Sequence, residues 1–216
     1  GTLDPLATGV LPVLVNRATR MAQFFSSNEK EYEGVVRFGY STDSYDADGE
    51  ATSADTDPVI ATDELEKVLA AFRGPIQQVP PPVSAKKIGG KKAYELARKR
   101  IPVELQPVSV TIHELDLVGV EGREARIRIR CTAGTYVRAI AHDAGKAMGC
   151  GAHLRQLRRT VSGPFSIGQA HTVEELAALA DHGRLGEALI PAESLLPEFP
   201  TEIVDGITEA QIRNGR

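Results

Sequence analysis

Apolar residues recur along this chain with two different periods, and each period predicts a different kind of element. A period of two is clearest over residues 124–131, where apolar residues alternate with three arginines. This alternation is typical of a strand with one buried face, and it places the three guanidinium groups together on the other face. The apolar positions are Ile127, Ile129 and Cys131, and the arginines are Arg126, Arg128 and Arg130.

A spacing of three to four residues between apolar positions predicts helices elsewhere. The predicted helices cover residues 15–25, 63–72, 91–100, 136–148, 173–182, 185–189 and 208–214. Further strands are predicted over residues 32–40 and 108–118, with a loop and strand over residues 153–167. Since helices and strands interleave without a regular βαβ repeat, we expect an α+β fold with a mixed or antiparallel central sheet and flanking helices.

Length and composition narrow the class of protein. The chain has 216 residues, of which 42% are hydrophobic, with two cysteines and no tryptophan. This composition excludes disordered, collagen-like and coiled-coil chains, and no apolar run approaches the ~18–20 residues of a membrane span. Cys131 and Cys150 are too few for a disulfide scaffold and lack metal-ligand spacing, which favours a reducing compartment.

The net charge of −4 conceals an uneven distribution. Residues 86–100 hold seven cations and one anion, a net charge of +6 in fifteen residues, so the rest of the chain carries −10. A basic segment on an acidic body is typical of an element that contacts phosphates. The alternative is a solvated helix face, because Lys and Arg are good helix formers. The cations are Lys86, Lys87, Lys91, Lys92, Arg98, Lys99 and Arg100.

Several familiar motifs are matched only in part. Residues 44–55 agree with a calcium-binding EF-hand loop at three positions, but Ser44 and Asp55 replace its first Asp and its bidentate Glu. We therefore interpret the acidic stretch 43–57, which holds six carboxylates, as a solvated loop. No phosphate-binding glycine loop, no histidine pair with zinc-ligand spacing and no GxSxG turn is present. The sequence thus predicts neither a metal site nor a cofactor.

The remaining candidate for chemistry is Asp4, which precedes a proline in the turn-rich segment 1–12. Asp in this context is ordinarily a turn former whose carboxylate caps nearby amides. Two other stretches change that picture, because Tyr32 begins a predicted strand and Tyr136 stands two residues before Arg138. A carboxylate, two tyrosines and an arginine are the parts needed to stack on a flipped base and to act on a sugar–base unit. The alternatives are tyrosines that serve as core rings and an arginine that forms a surface ion pair.

These residues also carry a resemblance to a known family. GTLDPLATGVLP (1–12) is similar to the catalytic loop of the TruB family of pseudouridine synthases, which includes dyskerin-like relatives. The likeness continues in order along nearly the whole chain, and the acidic stretch is closer to the bacterial tRNA branch. The further matching blocks are KEYEGVVRFGYSTDSYDADGE (30–50), VPPPVSAKKIGGKKAYELAR (79–98), CTAGTYVRAIAHDAGKAMGCGAHLRQLRRT (131–160) and PAESLL (191–196). The resemblance implies a pseudouridine synthase fold.

The resemblance also implies an activity, the conversion of a uridine in the T loop of tRNA, at position 55, to pseudouridine without a cofactor. Asp4 would be the catalytic carboxylate that acts on a flipped-out base. Tyr32 would stack on that base and is a candidate to take the C5 proton. Arg138 would pair with Asp4 and hold its carboxylate ionised and oriented. The other substrate-binding residues would be Tyr136, Leu157, Asp46, Lys86, Lys87, Lys91 and Lys92.

A domain organisation follows from the same resemblance. Residues 1–197 would form the catalytic domain, with a basic RNA-gripping insertion at residues 75–100. Residues 198–216 would begin a C-terminal PUA-type RNA-binding domain, and the family's N-terminal block would precede Gly1, so we expect the chain to be a fragment. We further expect a cytoplasmic monomer that binds the T arm of tRNA and binds neither a membrane nor a metal.

Two other functions stay open on the sequence alone. An RNA-binding or tRNA-folding module without catalysis would need the basic segment but would not need Asp4. An α+β domain that binds another protein through its acidic loop would show no salt-dependent binding of RNA.

Overall fold

The computed structural model describes residues 2–84, 87–88, 91–92, 105–197, 199–200 and 202–215. The chain forms two compact units, Gly1–Ala170 and His171–Arg216. The predicted boundary between a catalytic and a C-terminal domain, at residues 197 and 198, stays a prediction. Every candidate site residue that is described lies in the first unit.

A mixed sheet of seven strands is the centre of the first unit. The described strands are β1 (Ala7–Gly9), β2 (Lys30–Phe38), β3 (Gly74–Gln78), β4 (Lys87–Ile88), β5 (Lys91–Lys92), β6 (Val108–Glu121), β7 (Glu124–Cys131), β8 (Ala152–Ser162) and β9 (Phe165–Ser166). The sheet has the order β1-β8-β2-β7-β6-β3, and β9 pairs with β8. β1 is parallel to β8, whereas the other neighbours are antiparallel.

Two helices of the first unit pack against the apolar face of this sheet. The described helices are α1 (Ala22–Ser26), which follows a 3-10 turn at Asn16–Met21, α2 (Thr62–Ala70), α3 (Val137–Ala147), α4 (Val173–Asp181) and α5 (Gly206–Arg213). α2 packs against β6, and α3 packs against β8, β2 and α2. Their buried side chains join those of the strands in one core, to which α2 contributes Leu65 and Leu69 and α3 contributes Ile140 and Ala144. The expected α+β class with a mixed sheet and flanking helices is confirmed.

β7 illustrates how the sequence pattern translates into packing. Its four apolar residues are at most 2% exposed and belong to the core. Its three arginines lie on the opposite face, where Arg128 pairs with Asp116 at 2.8 Å and Arg130 pairs with Glu114 at 2.9 Å. The predicted alternation is confirmed, and acidic side chains of the neighbouring strand β6 balance the charge of the arginine face.

Two predictions about single elements need correction. The predicted helix over residues 91–100 is wrong at its start, because Lys91–Lys92 is strand β5 and pairs with Lys87–Ile88 of β4. The Gly-Gly dipeptide between these strands is one that favours hairpin turns, and residues 93–104 lie outside the described residues. The predicted loop and strand over residues 153–167 is mostly the single long strand β8, whose pairing with β2 runs along its whole length.

Candidate active site

Arg138 is the second residue of α3, and the start of that helix is held by Gln78. The Gln78 side-chain amide donates to the carbonyl oxygen of Tyr136 at 3.0 Å and accepts from the Tyr136 backbone N–H at 2.8 Å. No side chain caps α3 at its N-terminus, and the two bonds from buried Gln78 instead fix the backbone of Tyr136, the residue directly before the helix. The position of Arg138 in the core follows from where the helix begins.

The Arg138 guanidinium holds the carboxylate of Asp4 at two points. Arg138 Nε donates to Asp4 Oδ2 at 2.8 Å, and Arg138 Nη2 donates to Asp4 Oδ1 at 3.2 Å. A two-point pairing of this kind fixes the plane of the carboxylate as well as its distance from the guanidinium. The pairing that the resemblance implies is therefore present, although the two residues are 134 positions apart in the chain.

The third nitrogen of Arg138 meets a second carboxylate. Nη1 lies 3.2 Å from Asp46 Oδ2, and it donates to the carbonyl oxygens of Ser44 at 2.9 Å and Val83 at 3.0 Å. All three nitrogens of the buried guanidinium consequently have partners, which three separate segments of the chain supply. A buried charge requires such complete pairing, because an unpaired one is strongly destabilising.

Exposure separates the two carboxylates. The side chain of Asp4 is 36% exposed, whereas that of Asp46 is 8% exposed and that of Arg138 is 5% exposed. Asp46 is thus largely withdrawn from solvent, and its predicted role in binding substrate stays a prediction. Asp4 contacts Arg138 on one side and is accessible on the other. A carboxylate in this position can act as a nucleophile or as a base toward a bound substrate.

The loop that supplies Asp46 differs from the predicted solvated loop. Five of its six carboxylates are exposed, but Asp46 is buried. The Ser44 hydroxyl and the backbone N–H of Asp48 both donate to Asp46 Oδ1. The ion pair with Arg138 and these two hydrogen bonds offset the loss of hydration, so one carboxylate of the stretch is withdrawn from water.

The segment that carries Asp4 is anchored to the sheet by β1. The Asp4 carbonyl oxygen accepts from the Ala7 N–H at 2.9 Å, which closes a turn directly before β1. In the parallel pairing with β8, Ala7 stands opposite Leu157 and Gly9 stands opposite Arg159. Gly9 has φ of +99°, and a Cβ there would lie 2.1 Å from the Arg159 carbonyl oxygen. Only glycine permits this close approach.

Arg159 is a buried part of the site that the sequence pattern does not single out. The residue is 1% exposed, and its Nε donates to the Val10 carbonyl oxygen at 2.8 Å while Nη1 donates to the Thr2 carbonyl oxygen at 3.4 Å. These two bonds hold both ends of the segment that carries the candidate carboxylate. One signal exists in the sequence: Arg158 and Arg159 are adjacent in a strand, so they point to opposite faces and one of them faces the core side.

Tyr32 lies opposite Arg159 where β2 pairs with β8. Burial is the main cause that raises the pKa of the Tyr32 phenol above its ordinary value. Nearby Cys131 and Asp4 raise this pKa further, and a hydrogen bond and positive charge from Arg159 oppose the rise. Tyr32 is consequently a neutral phenol at neutral pH, within electrostatic reach of the accessible carboxylate.

The remaining predicted residues fall into two groups. Leu157 is buried beside β1, and Tyr136 is half-buried directly before α3. Lys87, Lys91 and Lys92 belong to the paired strands β4 and β5, but their side chains, like the whole of Lys86, lie outside the described part of the chain. The residues that the structure places around the anchored segment are Asp4, Tyr32, Asp46, Arg138 and Leu157.

The described residues contain neither a candidate metal cluster nor a candidate membrane span. Within them, no three His, Cys, Asp or Glu side chains are grouped so that they would hold a metal ion. The helices of the same residues are too short or too polar to cross a bilayer. The candidate chemistry rests on Asp4, Arg138 and Tyr32, whose side chains are all described.

Two family models match consecutive parts of the chain, one ending at residue 137 and the other beginning at Arg138. The family model described as TruB family pseudouridylate synthase (N terminal domain) matches residues 1–137, which include Asp4. The family model described as tRNA pseudouridylate synthase B C-terminal domain matches residues 138–197. The chain belongs to the TruB family of pseudouridylate synthases. The family expected from the sequence motifs is thereby confirmed.

Curated TruB relatives match along the whole chain. The tRNA pseudouridine synthase B of Solibacter usitatus is 57% identical over 216 residues, which cover 100% of this chain and 74% of that protein. The tRNA pseudouridine synthase B of Aromatoleum aromaticum is 46% identical over 217 residues, which cover 100% of this chain and 70% of that protein. The chain therefore corresponds to 74% of the first of these relatives and 70% of the second.

Solved structures share the fold. The crystal structure of a Cbf5-Nop10-Gar1 complex has a TM-score of 0.68 and 28% identity, covering 89% of this chain and 50% of that chain. An H/ACA RNP bound to a substrate RNA containing 2'-deoxyuridine gives a TM-score of 0.65 and 26% identity, with 89% and 49% covered. The chain spans about half the length of these solved chains. The likeness confirms the expected pseudouridine synthase fold.

Proposed function

We propose that this chain isomerises a uridine in the T loop of tRNA, at position 55, to pseudouridine. Membership of the TruB family and the names of its curated relatives support the reaction and the RNA substrate. The observation that carries the assignment of residues is the accessible Asp4 carboxylate, which the buried Arg138 guanidinium holds at both oxygens. Asp4 is accordingly the carboxylate that acts on the target nucleotide.

The reaction breaks the C1′–N1 glycosidic bond of uridine, turns the uracil and joins C1′ to C5. C5 loses its proton and N1 gains one, so product and substrate have the same composition. Asp4 serves as the nucleophile or base at the sugar–base unit. Because Arg138 occupies one side of the carboxylate, the lone pairs on the open side are those available to the substrate.

The target base must leave its stack to reach Asp4, and flipping costs a few kcal/mol. Stacking of a base on an aromatic ring contributes about 1–3 kcal/mol, so the ring of Tyr32 offsets much of that cost. Tyr136 and Leu157 complete the pocket. Tyr32 is also the candidate to accept the C5 proton, and that role requires its phenol to lose its own proton first, because the raised pKa keeps it neutral. Lys86, Lys87, Lys91 and Lys92 bind phosphates of the T arm, which positions the RNA without reading its sequence.

The decisive experiment compares the natural full-length protein with its Asp4→Asn variant on T-arm RNA carrying tritium at C5 of uridine. Asn has nearly the same volume as Asp but no charge, so we expect RNA binding to persist and tritium release to stop. Asp57→Asn is the matched control, because its carboxylate is 94% exposed and pairs only at the surface with Arg123; this variant should release tritium at the parent rate.

Three results would contradict the proposal at different points. Tritium release by Asp4→Asn at the parent rate would remove Asp4 from the mechanism. Binding of T-arm RNA without release by the unmodified protein would favour the RNA-binding or tRNA-folding module. An absence of salt-dependent RNA binding would favour a protein-binding domain.

A further inference from the structure

Tyr45 has an unusual backbone conformation at a critical place. Its φ is +66°, in the left-handed region that a bulky residue seldom adopts. The residues on either side of it both contact Arg138, Ser44 through its carbonyl oxygen and Asp46 through its carboxylate. Backbone strain of this kind persists only where the surroundings enforce it, and such sites are often functional.

A ring stack is part of those surroundings. The Tyr45 ring lies on the imidazole of His142, with 3.8 Å between ring centroids and 11° between ring planes. His142 follows Arg138 by four residues in α3, so both side chains project from the same face of the helix, one turn apart. The loop residues 44–46 are therefore contacted twice by α3, through the guanidinium and through the imidazole.

The backbone of Tyr45 is tied to the sheet as well. The Tyr45 carbonyl oxygen accepts from the Leu154 N–H at 3.0 Å, and the Ala47 N–H donates to the Leu154 carbonyl oxygen at 3.0 Å. These bonds hold the loop to β8, whereas the ring stack ties Tyr45 to α3, the helix that carries Arg138.

The stacked rings add no charge to the site. Burial lowers the pKa of His142, with Lys146 acting in the same direction and Asp143 opposing. Burial also raises the pKa of Tyr45. Both rings are thus neutral at neutral pH, and the imidazole brings no second cation near Arg138. His142 Nδ1 is buried and makes no hydrogen bond to the described residues, so it is through its ring stack that the His142 side chain contacts the loop.

We propose that Tyr45 and His142 are a positioning pair: their stacked rings hold Ser44 and Asp46 against Arg138, and Arg138 in turn holds the Asp4 carboxylate in its reactive orientation. The effect on reaction rate rests on the proposed function, whereas the effect on Arg138 does not. Neither ring needs to touch the RNA, so the pair should influence the chemical step and leave substrate binding unchanged.

The test compares alanine and phenylalanine at both positions in the natural full-length protein. In Tyr45→Ala and His142→Ala, single-turnover tritium release from T-arm RNA should fall by about 10- to 100-fold, as expected for a slightly displaced catalytic group, with an unchanged Kd. Tyr45→Phe and His142→Phe keep a stacking ring and should retain the parent rate. Tyr45→Gly removes the backbone strain together with the ring, and it should lose rate like alanine.

Several outcomes would overturn the inference. One is release of tritium at the parent rate by both alanine variants, and another is release at the parent rate by Tyr45→Gly. The third is a loss of rate in the phenylalanine variants as large as that in the alanine variants. Should an alanine variant fail to fold, Tyr45→Leu replaces it, since leucine keeps apolar volume without a stacking ring, and the same loss is expected.

A second readout separates this inference from the proposed function. The Arg138 Nε–H proton should exchange with water faster in the alanine variants than in the parent, as followed by NMR of the arginine side chain. Unchanged exchange would overturn the positioning role even if the rates fell. Absence of tritium release from the parent protein would instead refute the proposed function, and the exchange measurement would still decide the role of the ring pair.

Discussion

Replacing Arg138 by lysine tests whether the shape of the guanidinium, and not only its charge, positions Asp4. Arg138 Nε and Nη2 each hold one oxygen of Asp4, while Nη1 serves Asp46, Ser44 and Val83. Lysine keeps the positive charge but has one nitrogen in place of three. That nitrogen cannot pair with Asp4 at two points and also satisfy the partners of Nη1.

The contacts give the size of the expected effect. A hydrogen bond to a charged group contributes about 1.5–3 kcal/mol. If both bonds to Asp4 are lost from the transition state, the barrier rises by about 3–6 kcal/mol, which lowers the rate by roughly 10²- to 10⁴-fold. Because the Arg138 side chain is only 5% exposed, the affinity for RNA should not change.

The assay is single-turnover tritium release at saturating T-arm RNA, with Kd measured separately and thermal unfolding as a check on folding. Arg128→Lys is the matched control, since Arg128 Nη2 pairs with Asp116 at 2.8 Å on the exposed arginine face, with a side chain that is 53% exposed. Exposed pairs contribute about 0.2–1 kcal/mol, so this control should keep the parent rate. A rate for Arg138→Lys within about threefold of the parent, well below the range for a lost charged hydrogen bond, would refute the argument from two-point pairing.

Two further substitutions test the anchored segment and the buried histidines. Gly9→Ala should lower both the unfolding temperature and the rate of tritium release, because its Cβ would clash with the Arg159 carbonyl oxygen. Gly168→Ala is the control and should be neutral, because a Cβ there has nothing within 4 Å. Equal effects of the two substitutions would contradict the role of Gly9. Burial lowers the pKa of His153, so the unfolded state binds a proton near pH 6.5 more readily than the folded state. The free energy of unfolding should therefore fall as the pH drops below about 6.5, and His153→Gln should reduce this dependence without abolishing it, since the pKa of His142 is also lowered. Urea unfolding at several pH values measures the slope, and an unchanged slope in the variant would contradict this explanation.

Most of the correct structural predictions rest on local sequence patterns. The alternation in β7 predicts its buried and exposed faces because strand periodicity depends on neighbouring residues alone. The helix α3 is likewise predicted within a residue at each end. The predicted helix over residues 91–100 is wrong at Lys91–Lys92 because lysine favours helices, whereas these two residues pair with Lys87–Ile88 as strands.

The parts of the site that sequence reasoning misses depend on contacts between distant segments. Arg159 donates to Val10 at a separation of 149 residues, and Gln78 bonds to Tyr136 at a separation of 58 residues. Neither residue type indicates by itself that it will hold a backbone segment. The acidic stretch likewise predicts a solvated Asp46, because the cation that withdraws it from water lies on a helix far along the chain.

The distribution of charge explains why the site and the basic segment need to be separate. Two carboxylates share one guanidinium, so Asp4, Asp46 and Arg138 together carry one net negative charge, and the open side belongs to Asp4. The buried Arg159 beside Tyr32 brings the net charge of the centre to zero, so the centre offers phosphates no net attraction. An RNA substrate must therefore be drawn in by cations elsewhere, and the net charge of +6 over residues 86–100 can supply that attraction without neutralising the carboxylate. A carboxylate that keeps its charge and a chain that binds a polyanion are compatible because different segments perform the two tasks.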